Sequence, residues 1–520
     1  MRKLGVIEGD RVERRSACPG LFRMTPARDG SICRVKLSCG RLTKEQARVV
    51  ADVADRYGNG IIELTNRANL QLRGIDGADA DHLILALTQA GLGPLVPEGD
   101  DIRNVMVNPT AGIDEALAFD TLPLAERLLE TLQTTPAYHA LSPKFSILLD
   151  GGEACAMVRH TSDIWLAATE DGKAFAFGFA SCPPVAPKSD MACGPLIRPF
   201  GPPSPRWGEE GADGNAATPL SLGRGGEPTG LASGKPEDRL CEPVREPSNP
   251  PPAEIREELR ALGIVAAENA HALITNLLDL FLEISAEYPG IVRMKHLLAA
   301  MPASDILERL RPRLAFTIEA ASEWRRAAPR SFAHLGTHSQ RQREFSYAGA
   351  AVPLGRLTPQ DMRALAEIAA QANGGQIRLT PWQSVLLPDI ATGRAAGILE
   401  RMRAIGFADD PGDPLASMIA CSGSTGCASA LADTQGDGAK LAQLLKNSEA
   451  MPVHLTGCAK SCASIRPAPA TLVAKEPGRY DLFLRKPTGP TRFGRLLAAN
   501  VTIEEAARLL NAYRQEMTDA

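Results

Sequence analysis

One spacing recurs within this chain and restricts its fold more than any other feature. Gly40-Arg-Leu-Thr43 returns as Gly355-Arg-Leu-Thr358, and Leu64-Thr65 returns as Leu379-Thr380, both 315 positions on (355 less 40, 379 less 64). A constant offset across separate pairs means that the stretches between them have equal length, as in two copies of one supersecondary unit. Each copy has the same grammar. Ile32 to Leu37 is extended, Thr43 caps a helix with Gln46 three residues later, and Val50, Val53 and Tyr57 mark its apolar face. Gly58-Asn-Gly60 then leads to a strand pair, Ile61 to Leu64 and Leu70 to Leu72. In the second copy Thr358 caps a helix with Pro359 at its first position, and Gly374-Gly375 precedes the extended stretch Ile377 to Leu387.

A βαβ-like unit of this kind suits a ferredoxin-like arrangement. Each copy is followed by a second α/β region, Asp101 to Phe179 and Ala416 to Ala520. The expected organisation is α+β: half-domains at 14–80 and 330–395, larger α/β domains at 98–195 and 410–516, and a helical connection over 253–325 with helices at Ala253–Leu262 and Ala266–Ile284. Between them, 196–252 turns to Pro, Gly, Ser and charge and reads as a disordered insertion, or as a docking segment for an electron donor. At 520 residues and 44% hydrophobic content the chain can bury several cores. Charges run through Met1 to Gly20 with no apolar core, so no secretory signal is read and the cytoplasm is expected. Ala272 to Ile284 is interrupted by Asn276, Asp279 and Glu283 and reads as a buried helix, so no membrane association is expected. The net charge of −4 argues against general nucleic-acid binding.

Four cysteines carry the clearest chemistry. Cys421 and Cys427 have five residues between them, Cys458 and Cys462 three, all set among Gly, Ser and Ala. Small neighbours let backbone N–H groups approach sulfur, which suits a 4Fe-4S cluster. Tetrahedral zinc is the alternative, although its cysteine pairs are usually more closely spaced than Cys421 and Cys427. The other seven cysteines bring the total to eleven and show no pairing rhythm. Continuing the offset of 315 sets Met106 opposite Cys421, so only the second half carries the thiolates.

Thr65-Asn-Arg67-Ala-Asn-Leu-Gln-Leu72, Arg103-Asn-Val105, Pro143-Lys-Phe145 and the two cysteine pairs occur in that order. Together they resemble the nitrite and sulfite reductase superfamily, over nearly the whole chain apart from the insertion. The resemblance implies two nitrite/sulfite reductase-type α/β domains related by pseudo-two-fold symmetry, enclosing a tetrapyrrole with the cluster beside it. Within the superfamily, Arg14-Arg-Ser-Ala-Cys-Pro-Gly-Leu-Phe22, Asp29-Gly30 and Pro143-Lys-Phe-Ser-Ile-Leu-Leu-Asp-Gly-Gly152 look most like the precorrin-3B synthases of aerobic cobalamin biosynthesis. That likeness implies an O2-dependent monooxygenase converting precorrin-3A to precorrin-3B, by hydroxylation at C20 and closure of a γ-lactone. It also implies a mononuclear non-haem iron beside the cluster, reducing equivalents from NADH directly or through a donor protein, and no resident sirohaem.

A macrocycle bearing many carboxylates needs converging cations. Arg67, Arg73, Arg103 and Lys144 are the candidates, set against the plainer reading of solvated charges at strand ends. The sulfite reductase pattern has a second lysine two positions after the first; this chain has Ser146, which weakens an oxyanion pocket. Trp382 stands where Arg67 stands in the first copy, either to stack on a ring or as a core residue. For the iron, the eight histidines supply His334 and His338 as the nearest pair, with His454 ahead of the cluster in an expected strand, Val453 to Leu455. Asp29 serves either as an acid or carboxylate ligand, or as half of an Asp-Gly turn. Two competing functions stay open: a sirohaem-dependent nitrite or sulfite reductase with Cys462 bridging cluster and sirohaem, and a cluster protein that only transfers electrons.

Overall fold

The structure is a computed structural model describing residues 18–186, 260–288, 290–321, 323–445, 451–464, 468–485 and 491–518. The insertion expected over 196–252 lies outside the described residues.

The two copies of the repeat exchange a strand. In the first, β1 (Thr25–Ala27), β2 (Gly30–Val35), β5 (Leu70–Ile75) and β4 (Ile62–Leu64) lie side by side, and β13 (Arg356–Leu357) from the second copy closes the edge. The second copy repeats this with β11 (Gly336–Ser339), β12 (Phe345–Ala351), β15 (Ser384–Ala391) and β14 (Gln376–Leu379), closed by β3 (Arg41–Thr43) from the first. The stretch Ile377 to Leu387 divides at the turn after Leu379 into β14 and β15, the counterpart of the strand pair in the first copy. Arg356 lies opposite Glu63, and Arg41 opposite Arg378. Strands this short cannot stand alone; each pairs its backbone groups in the other half's sheet.

The backbone itself is duplicated. Cys39 and Leu354 share a positive φ (55° and 51°), as do Ala68 and Gln383 (54° and 59°). Thr65 Oγ1 accepts the N–H groups of Arg67 and Asn69 at 3.3 and 3.1 Å, and Thr380 Oγ1 accepts those of Trp382 and Ser384 at 3.2 and 3.3 Å. Left-handed non-glycine residues are uncommon, so their recurrence in register marks one turn geometry used twice. Both helices carry a capping box, Thr43 with Gln46 and Thr358 with Asp361. Those helices, Lys44–Tyr57 and Pro359–Ala369, bury Val50, Val53, Leu365 and Ile368 in a core common to both halves. Each such side chain contributes roughly 1.5–3 kcal/mol on burial.

The remaining two sheets also share a topology. In one, β6 (Val105–Val107), β7 (Ile147–Asp150) and β8 (Ser162–Ala168) run parallel, followed by antiparallel β9 (Ala174–Ser181) and β10 (Gly263–Ala266). In the other, β16 (Ile419–Ala420), β17 (Val453–Thr456) and β18 (Ala470–Glu476) are parallel, followed by antiparallel β19 (Arg479–Leu484) and β20 (Arg495–Val501). The helical connection expected over 253–325 holds three helices, Ala270–Glu287, Met294–Ala300 and Ala303–Leu310, and also β10, which belongs to a sheet. Gly263 permits this: a Cβ there would fall 2.2 Å from Ile318. Residues 253–259 of the first expected helix lie outside the described residues, 260–262 are not helical, and the second helix starts later, at Ala270, and runs to Glu287. Leu273, Leu277, Phe281 and Ile284 of that helix are buried. Among the described residues no helix is long and apolar enough to cross a membrane.

Candidate active site

The parallel pairing of Ala420 with Leu455 brings both cysteine pairs to the same end of adjacent strands, since Cys421 follows β16 and Cys458 follows β17. Ligand sites form at such carboxyl ends. The Cys421 N–H donates to the Leu455 carbonyl at 3.2 Å, and Cys421 Sγ accepts the Gly457 N–H at 3.2 Å. Gly457 allows this approach: a Cβ on it would lie 2.5 Å from Ala430 Cβ. Burial pushes the Cys462 thiol upward, and Cys458, Cys427 and Cys421 push it further, so the other three sulfurs lie within electrostatic reach of Cys462. Among the described residues, however, no three His, Cys, Asp or Glu side chains close around a single ion. Four neighbouring thiols among small residues, with the Gly457 N–H aimed at one sulfur, suit the cage of a 4Fe-4S cluster. Cys421, Cys427, Cys458 and Cys462 would hold it.

The loop between the first two cysteines is clamped by the first half of the molecule. Arg73, 2% exposed, donates to Asp29 through Nε and Nη2 (2.9 and 2.8 Å), to Glu63 and Ser422 through Nη1 (both 3.2 Å) and to the Gly426 carbonyl through Nη2 (2.7 Å). Arg356 joins Glu63 to the Ser422 carbonyl, and Arg28 reaches the Ser424 carbonyl at 2.9 Å. These contacts correct two expectations. Arg73 is saturated and has nothing left for a macrocycle carboxylate, and Asp29 is its ion-pair partner, also accepting from Asn59, instead of a free acid.

Arg103 is likewise committed, to Asp100 at 2.9 Å and to the carbonyls of Lys36 and Gly93. Lys144 is exposed. Arg67 makes a long contact with the Lys144 carbonyl (3.5 Å) and has no salt bridge among the described residues; burial, with Arg293 and Arg34 nearby, lowers it to about 10. Beside Arg67 and Arg103 the free space is only about 10 Å3, room for one water-sized group. Ser146, in the position of the missing lysine, is fully buried and its hydroxyl has no partner.

The larger space lies elsewhere. A cavity of about 190 Å3 reaches Cys421, Cys462 and Arg34, and shares Asn66, Gln383 and Ala463 with a neighbouring cavity of about 830 Å3. The latter falls in the upper part of the range for ligand pockets, roughly 300–1,000 Å3. Its walls include Trp382 and His334, and Arg159, Arg330 and Arg485 stand exposed on it. Among the described residues none of these three guanidinium groups has a salt bridge or side-chain hydrogen bond. No motif marked them; they meet only because the fold brings distant loops to one opening.

The histidines do not assemble. His334 lines the large cavity; His338 sits on β11 with its ring against the Leu335 carbonyl (2.7 Å); His454 lies in β17, wholly buried, with neither ring nitrogen bonded. Burial and Arg492 lower His454 to about 4. The expected mononuclear iron therefore has no ligand set among the described residues.

Comparison with known proteins agrees with this architecture. The nitrite/sulfite reductase ferredoxin-like half-domain matches residues 25–90 and 338–405, the two copies of the repeat, and the nitrite and sulphite reductase 4Fe-4S domain matches 98–196. These stretches are thus similar to domains of the nitrite and sulfite reductases, and the α+β fold is that of duplicated ferredoxin-like halves with two reductase-type domains. The 98–196 match covers the half without paired cysteines; the common order of the β6–β10 and β16–β20 sheets equates it with the half that has them. A precorrin-3B synthase of Sinorhizobium sp is 29% identical over 90% of this chain and 82% of its own length. The chloroplastic ferredoxin–nitrite reductase of Zea mays is 28% identical over 88% and 72%. The solved structure of the Mycobacterium tuberculosis NirA protein superposes with a TM-score of 0.65 at 15% identity, covering 96% of this chain and 89% of that one, a likeness of fold alone.

Proposed function

We propose that the chain is a precorrin-3B synthase, an O2-dependent monooxygenase that binds precorrin-3A, hydroxylates it at C20 and closes the γ-lactone. The observation that carries this reading is the cavity of about 830 Å3, walled by Trp382 and His334, edged by three arginines with no ion pair among the described residues, and sharing Asn66, Gln383 and Ala463 with the space beside Cys462. A polycarboxylate macrocycle needs that volume and those charges. A small oxyanion site is poorly supplied by comparison: Arg103 is tied to Asp100, Ser146 replaces a lysine, and the free space beside Arg67 and Arg103 is only about 10 Å3. The match to the precorrin-3B synthase also spans a larger share of both chains than that to the maize nitrite reductase.

A bound 4Fe-4S cluster would supply single electrons, drawn from NADH or a donor protein. The chain's own residues would do the rest: the arginines hold the carboxylates, the apolar walls exclude water, and Arg73 with Glu63 keeps the Cys421–Cys427 loop in place beside the ring. The alternative, a sirohaem-dependent nitrite or sulfite reductase, draws on nitrite reductase relatives at similar identity, for example 27% over 87% of the chain in Synechococcus elongatus. Anaerobic purification followed by an absorption spectrum and iron and sulfide assays separates the two. The proposal expects cluster iron and sulfide with no sirohaem band; an intense sirohaem band in the purified protein contradicts it.

A further inference from the structure

We propose that Trp382, backed by the stacked ring of His334, forms a recognition subsite on which one face of a flat conjugated macrocycle lies. This rests on reading the large cavity as the tetrapyrrole site, and it names the residues that read the ring itself.

Three observations converge on it. The imidazole of His334 and the indole of Trp382 are stacked, with centroids 4.3 Å apart and planes inclined by 7°, and both line the cavity. His334 is only 5% exposed, yet its ring makes no hydrogen bond among the described residues. An imidazole on a cavity wall with no protein partner is open to what fills the cavity, water or ligand. Burial, with His338 nearby, holds His334 at about 3, so at neutral pH it is uncharged and offers one donor and one acceptor. Lastly, Phe332 extends the wall: its ring lies 6.3 Å from that of His334, and it is 38% exposed with φ 57°. A bulky side chain in the left-handed region costs energy, and such residues cluster at ligand sites.

The duplication explains how the two faces diverged. Trp382 occupies the same place in the same turn as Arg67, so one copy offers a cation and the other an aromatic surface. Aromatic stacking reads the conjugated ring, while the periphery of carboxylates goes to Arg159, Arg330 and Arg485.

The test is equilibrium binding of uroporphyrin III, a stable polycarboxylate tetrapyrrole, to the full-length protein, followed by its absorption band. Trp382→Leu and His334→Leu should each weaken binding by about tenfold or more and reduce the band shift, whereas Trp382→Phe should hold affinity within about threefold. If both leucine variants bind as the parent does, while Arg330→Gln with Arg485→Gln abolishes binding, the ring lies elsewhere in the cavity: the subsite is overturned and the reading of the cavity stands. If the parent takes up no uroporphyrin, both fall. Should Trp382→Leu lose its iron and sulfide, His334→Leu against the parent decides the question by the same criterion.

Discussion

Arg73 donates to the carbonyl of Gly426 at 2.7 Å, one residue ahead of Cys427, and so joins the first ferredoxin-like half to the loop that carries two of the four clustered cysteines. The same guanidinium is held by Asp29 and Glu63. Close packing leaves no slack in this joint, because a Cβ at position 426 would lie 2.3 Å from Arg73 Nη2.

Arg73→Met should therefore damage both stability and the cluster. It leaves the half-buried Asp29 carboxylate without its ion-pair partner, while Glu63 keeps Arg356, a loss of about 1.5–3 kcal/mol. Urea unfolding should report that loss, and sulfide analysis should show a cluster content well below the parent's. Asp29→Asn keeps the Gly426 and Ser422 contacts and should cost less on both measures.

Cys458→Ser should abolish the cluster, whereas Cys155→Ser, in the half without paired cysteines, should leave sulfide content unchanged. Full sulfide retention in Cys458→Ser would refute the ligand assignment.

Removing the Ser146 hydroxyl should be harmless or beneficial. It is buried without a partner, so Ser146→Ala should leave stability unchanged or raise it by up to about 1 kcal/mol in urea unfolding. Ser146→Lys should destabilise, since the position faces packed protein and not an open pocket, and should confer no sulfite reduction.

His454 predicts a pH dependence. Its folded pKa is lowered to about 4, below the ordinary value near 6.5, so the unfolded chain takes up a proton first as the pH falls. The neutral ring's share of stability is complete above about pH 6.5 and is lost progressively between there and pH 4. His454→Leu should flatten that part of the stability profile, measured by urea unfolding at pH 7 and pH 5.5.

The residues that were legible from sequence are those whose roles are local. Thr43 and Thr358 announce their helices through capping partners three residues away, and the offset of 315 shows the duplication. The strand exchange was hidden because Arg41–Thr43 and Arg356–Leu357 are too short for any period to appear. Arg73 and Arg103 resembled free ligand cations because their partners, Asp29, Glu63, Gly426 and Asp100, become visible only once loops meet. Arg159, Arg330 and Arg485 carry no motif, and their common position on the cavity is a property of the fold alone.

Substitution of those arginines should weaken macrocycle binding in a salt-dependent manner. Arg330→Gln and Arg485→Gln should each lower affinity for a polycarboxylate tetrapyrrole by about tenfold at low ionic strength, with the difference narrowing at high salt. Titration at two salt concentrations checks this.

The central claim is tested most directly by turnover. The anaerobically purified protein, supplied with precorrin-3A, a reductant and isotopically heavy O2, should yield a product that has gained a single heavy oxygen atom and has the mass of the hydroxylated lactone. Recovery of unchanged precorrin-3A by a preparation with full cluster content, together with reduction of nitrite or sulfite, would contradict the account.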